Sequence, residues 1–354
     1  MIDSVKRLLH KGTVIPAHPL ALTAERKLDV ERQRALTKYY IASGAGGIAV
    51  GVHTTQFEIR DSSINLFEPV LRLAAEETKK LLRPFIKVAG ICGHQRQALE
   101  EARLAKDLGY DLGLVSNGGL SGYSEEELLE RTRQISEIIP VFGFYLQPSV
   151  GGRSLSYHFW KEFAEIPGVM AIKLAPFNRY QTLDVVRAVC HSSRSNEIAL
   201  YTGNDDNIIA DLLTTYQIPV DGKMIEKKIV GGLLGHWAVW TKKAVEYFNR
   251  VKEIQDKEEV PKELLTLGIE ITDANAAFFD ASHQFKGCIA GINEVLRRQG
   301  LLSGNWCLDP EEKVSPGQME EITRVYEDYP HLHDDEFVRK HIQDWLSDSK
   351  QMST

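Results

Sequence analysis

Gly168-Val169-Met170-Ala171-Ile172-Lys173-Leu174-Ala175 reads as a short buried strand with a lysine near its end. Buried lysines are rare, because taking an ammonium out of water is expensive. A lysine placed here either snorkels from the strand end into solvent or is desolvated. In the second case burial favours the neutral amine, a nucleophile able to form an imine with a ketone. The strand before it, Val141-Phe142-Gly143-Phe144-Tyr145-Leu146, carries a second polar-tipped side chain, Tyr145. Strict alternation puts Lys173, Ala171 and Val169 on one face, and Tyr145, Gly143 and Val141 on the corresponding face of the earlier strand. Phe142, Phe144, Met170, Ile172 and Leu174 fall on the opposite, helix-packed face. Parallel neighbours lie about 4.8 Å apart, so alternation predicts that Tyr145 and Lys173 point into one site.

Outward from this pair, a strand–helix rhythm runs through the first part of the chain. Candidate strands begin near Val14, Ile48, Ile86, Leu112, Val141, Val169, Ala199 and Ile229, at roughly 30-residue intervals with a helix after each. This spacing predicts a (β/α)8 TIM barrel. A doubly wound sheet shares the rhythm and differs only in not closing. Ser124-Glu125-Glu126-Glu127 is a capping box opening the fourth helix. A partly charged insert, Gln217 to Lys228, precedes the last strand. After Glu253 the strands stop, and Leu264 to Gly300 and Asp334 to Ser347 read as helical. The expected organisation is therefore a barrel over residues 1–252 and a C-terminal helical extension over 253–354.

The chain of 354 residues is 43% hydrophobic and 26% charged, with a net charge of −7, ordinary values for a soluble globular protein. No basic run points to nucleic acid. No apolar stretch reaches the ~18–20 residues that cross a bilayer, and Met1 to Arg7 lacks a signal-peptide core. Cys92, Cys190, Cys288 and Cys307 form no CxxC pair and no zinc pattern. A cytoplasmic protein without metal or cofactor, and without nucleic-acid or membrane partners, is the expectation.

Strand ends supply the remaining candidates. Val52-His53-Thr54-Thr55 offers hydroxyls and N–H groups to a carboxylate, or forms an ordinary turn. Arg153 either forks onto a substrate carboxylate or makes a surface ion pair. Gly203 and Gly232, after or in the last two strands, are expected at the substrate site. His53 and His18 are extra acid–base candidates or structural histidines. Asp205 and Asp206 read as the N-cap and first turn of a helix rather than as metal ligands. Phe57, Phe177 and Trp237 are compatible with core packing or with an apolar substrate larger than pyruvate plus a small aldehyde.

Four segments carry a resemblance to the dihydrodipicolinate synthase/N-acetylneuraminate lyase family of Schiff-base aldolases. They are Val88-Ala89-Gly90-Ile91-Cys92-Gly93-His94, Tyr145-Leu146-Gln147-Pro148-Ser149, Gly168 to Lys173, and Gly203-Asn204-Asp205-Asp206. The resemblance spans about Thr13 to Gly300. It implies a barrel with a helical extension, an imine on Lys173, proton shuttling by Tyr145, and a homodimer or homotetramer. The sequence also departs from the family. Matching Thr54 and Thr55 to its paired hydroxyl residues requires an insertion, the loop Ser116-Asn117-Gly118-Gly119 has no tyrosine, and Arg153 lies a few residues beyond the synthases' arginine. These departures argue against a lysine-biosynthesis synthase. The expected activity is a lyase or aldolase acting on a 2-oxo acid, pyruvate or a sugar-acid derivative, held at Lys173, Tyr145, His53, Thr54, Thr55, Arg153, Gly203 and Gly232. A sugar-acid dehydratase of the same family and a non-catalytic barrel that binds a small molecule are the alternatives.

Overall fold

The structure is a computed structural model that describes residues 1–347. Its strands are β1 (Val14–Pro16), β2 (Gly47–Val50), β3 (Ile86–Ile91), β4 (Leu112–Val115), β5 (Val141–Leu146), β6 (Val169–Ala175), β7 (Ala199–Thr202), β8 (Thr215–Val220) and β9 (Lys223–Leu234). Strands β2 to β7 pair in sequence order, β7 pairs with β9, and β9 with β1, all in parallel. A parallel bridge from Ala17 to Ala49 brings β1 back to β2. The sheet is thus a nearly closed barrel of eight parallel strands with helices between them, followed by C-terminal helices. Closure separates it from the doubly wound alternative.

Two cores result. Ile15, Ala49, Val88, Leu114, Phe142, Ala171 and Tyr201 fill the barrel interior, while Val50, Ala89, Gly143's neighbour Phe163, Ile172 and Leu200 belong to the layer between strands and helices. The capping box forms as read: Ser124 Oγ accepts from Glu127 N at 3.2 Å, and Ser124 N donates to Glu127 at 2.7 Å. The charged insert is β8 and the first half of β9, an antiparallel hairpin off the barrel edge. A helix over Asp3–Lys11 was not anticipated. Its Val5 and Leu9 pack with the interior core, and Leu9 O accepts from Tyr201 OH at 2.8 Å, which plugs the N-terminal mouth.

The stretch expected as one helix from Leu264 to Gly300 is two, Lys262–Phe278 and Cys288–Arg298. Between them Asp280, Gln284 and Phe285 adopt left-handed backbone (φ 57°, 58° and 66°), unfavourable for residues with a Cβ. The buried Asp280 carboxylate holds this turn. It accepts from Gly287 N at 3.0 Å and Ser315 Oγ at 2.5 Å, and contacts His283 Nδ1 at 2.6 Å. Two more helices follow, Gln318–Asp328 and Asp335–Ser347. Buried Asp334 ties them to the barrel, accepting from Tyr39 OH at 2.7 Å and Lys242 N at 2.8 Å.

Candidate active site

Lys173 lies on the inner face of β6 at the C-terminal mouth, 8% exposed, where barrel enzymes assemble their sites. Among the described residues its Nζ makes no hydrogen bond; it sits 4.5 Å from the ring centroid of Phe144. Burial pushes its ammonium below the usual lysine range, and the charge of Asp205 works against that shift. Space for the lysine stem is made by Gly203. A Cβ there would stand 2.4 Å from Lys173 Cε and 2.9 Å from Ala175 Cβ, so no larger residue fits without moving the amine.

Asp205, 4% exposed, is the acidic partner in this pocket. Burial raises its carboxyl above the usual range, opposed first by the charge of Lys173 and then by the hydrogen bond that His236 N donates to it at 2.8 Å. Neighbouring Asn204 fixes the loops around them. It accepts from Phe177 N at 3.0 Å and donates to Asp211 at 3.0 Å. His53 also lines the pocket, its imidazole pushed down to about 4 by burial and then by Lys173, so it is neutral at neutral pH. Thr54 follows, 3% exposed, with a buried Oγ1 that has no partner among the described residues. Such a hydroxyl lining a cavity is ready to donate to a ligand.

Tyr145 requires a correction. A register shift between Val141/Val169 and Phe142/Ala171 inserts an extra residue in β6, and one residue of slip exchanges the faces of a strand. Phe144 is consequently the register partner of Lys173, while Tyr145 pairs with Leu174. Tyr145 points outward, its ring tilted 40° against Trp160 with centroids 5.0 Å apart, and its hydroxyl accepts from Leu155 N at 3.3 Å. Alternation was broken where it had been assumed.

Four further candidates also lie elsewhere. Thr55 Oγ1 is consumed by the backbone, accepting from Gly51 N at 3.0 Å and donating to His18 O at 2.6 Å. Arg153 donates to Leu120 O at 3.2 Å and Tyr123 O at 2.7 Å, pinning the loop after β4 instead of facing the cavity. Gly232 faces the helix layer, where a Cβ would meet the Trp237 ring at 2.6 Å. His18 is locked by Pro19 O and Thr37, each at 2.8 Å. Neither aspartate of the Asp205-Asp206 pair caps a helix; Asn207 occupies the N-cap of Ile208–Leu213.

Sequence reasoning missed several lining residues. Besides Phe177, already a candidate for an apolar wall, the cavity is walled by Phe144, Phe279 and Phe285, with Gln147 and Cys288. Phe279, Phe285 and Cys288 come from the C-terminal helices, so the extension forms part of the site. No short-range pattern announces residues that arrive from so far along the chain.

Over 203 residues the chain is 27% identical to N-acetylneuraminate lyase of Citrobacter koseri, covering 56% of this chain and 65% of that one. It is 26% identical to that of Salmonella typhimurium over 192 residues, covering 53% and 61%. Over that span the chain is similar to N-acetylneuraminate lyases. The match thus spans under two thirds of the length of these curated relatives, and no family model matches the chain. The fold carries further than the sequence. Dihydrodipicolinate synthase from Oceanobacillus iheyensis superposes with a TM-score of 0.73 at 18% identity, over 92% of this chain and 99% of that one. N-acetylneuraminate lyase from Fusobacterium nucleatum complexed with pyruvate gives 0.71 at 16%, again over 92% and 99%.

Proposed function

We propose that this chain is a divergent member of the dihydrodipicolinate synthase/N-acetylneuraminate lyase family and a Schiff-base-forming lyase acting on a 2-oxo acid through Lys173. The observation that carries the reading is a single buried amine, held below its ordinary pKa, at the mouth of the barrel beside a buried carboxyl. Relatives named N-acetylneuraminate lyase and a neighbour complexed with pyruvate support the same chemistry.

In this mechanism neutral Lys173 attacks the C2 ketone and loss of water gives a protonated imine. That cation accepts the electron pair of the bond being broken. The unpartnered Thr54 hydroxyl donates to the substrate carboxylate. Asp205 takes the proton-shuttling role that the family resemblance assigned to Tyr145, because it lines the same pocket as Lys173 and its burial favours the protonated form over the usual carboxylate. A dehydratase reading uses the same imine and differs only in which bond the electron pair leaves. The test is pyruvate release from a panel of 4-hydroxy-2-oxo acids. The reading predicts release by the wild type and none by Lys173→Ala. Equal release by both proteins would end it.

A further inference from the structure

The cavity wall is rich in aromatic rings. Phe144 stands beside Lys173, its ring centroid 4.5 Å from the lysine nitrogen. Phe177, Phe279 and Phe285 line the same cavity, together with His53, Thr54, Gln147 and Asp205. Phe177 and Phe285 meet edge to face, centroids 6.0 Å apart at 84°.

Both of those rings are held there at a backbone cost. Phe177 has φ 51° and Phe285 φ 66°, conformations that persist only where the surroundings impose them. Asn204 imposes the first through Phe177 N. Asp280 imposes the second, its carbonyl accepting from Phe285 N at 3.0 Å and its carboxylate bracing the turn. A second cavity lined by Phe57, Cys92 and Ser116 shares Leu146 and Val150 with the first. A polyhydroxylated chain laid along these rings leaves hydroxyls without partners. A flat apolar ring instead gains edge-to-face contacts.

We propose that the substrate is a 4-hydroxy-2-oxo acid whose C4 carries an aryl group, cleaved to pyruvate and an aryl aldehyde or formed from them. This rests on the Schiff-base reading above and names the substrate class of that site. Lys173 adds to C2 and water leaves, giving the iminium. A base in the pocket takes the C4 hydroxyl proton, and the C3–C4 electron pair moves into the iminium, releasing the aldehyde and an enamine. C3 regains a proton, and water then frees pyruvate and the lysine. Nothing is oxidised or reduced overall.

The experiment compares benzaldehyde with D-glyceraldehyde and N-acetylmannosamine as partners for pyruvate, alongside borohydride trapping of pyruvate alone. The expected kcat/KM favours benzaldehyde by about tenfold or more, and Phe285→Ser lowers that preference in a folded protein. Where Phe285→Ser does not fold, Phe177→Leu supplies the same readout. An equal or reversed preference with pyruvate trapped on Lys173 overturns the substrate class and leaves the chemistry standing. Absence of any pyruvate adduct overturns both.

Discussion

Phe144 is the register partner of Lys173, and its ring centroid lies 4.5 Å from the lysine nitrogen. The ring face attracts an ammonium, so it is burial that favours the neutral amine. Phe144 also leaves no phenol at the one β5 position that faces the lysine, so proton transfer falls to other groups.

Tyr145→Phe tests that assignment. The variant loses a hydrogen bond to Leu155, for a stability loss of about 1 kcal/mol. Its kcat stays within about tenfold of wild type, whereas removing a true general acid costs ~10²-fold or more. Steady-state kinetics with thermal unfolding measure both.

Asp205→Asn produces two separable effects. The rate plateau drops about 10²-fold as proton transfer is lost. Imine formation needs the neutral amine, so the rate rises with pH through the pKa of Lys173. The Asp205 charge raises that pKa, hence removing it moves the acid limb to lower pH. A pH–rate profile of trapping that moved to higher pH would contradict the assignment.

Gly203→Ala places a methyl 2.4 Å from Lys173 Cε. The amine is displaced from its attack position, and a misplacement of this order lowers the adduct-forming rate about 10²-fold in a protein that still folds. Circular dichroism and trapping kinetics together check this.

Asp280→Ala removes the acceptor that braces the left-handed turn carrying Phe285. Unfolding stability falls by about 2 kcal/mol, and KM rises because a wall of the cavity loosens. An unchanged denaturation midpoint would show that the turn holds itself.

Much of this was legible in the sequence. The eight-strand rhythm gave the barrel because each strand is a short apolar run punctuated by a helix, and Lys173 stood out as a charge inside one of those runs. Gly203 and His53 are at the site for reasons of spacing along strand ends. Tyr145 was misplaced because alternation cannot foresee the extra residue in β6, a feature set by strand pairing and not by local composition. Asp205 was read as a helix cap because its partner lies 32 residues earlier and only barrel closure brings them together. Phe285 depends on a strained turn held by Asp280 and Ser315, a long-range hydrogen bond with no local signature.

The most direct measurement is peptide mass spectrometry after incubation with pyruvate and reduction with borohydride. The account predicts a covalent adduct on the peptide containing Lys173, absent in Lys173→Ala. A folded wild-type protein with no adduct, or an adduct on another lysine, would contradict it.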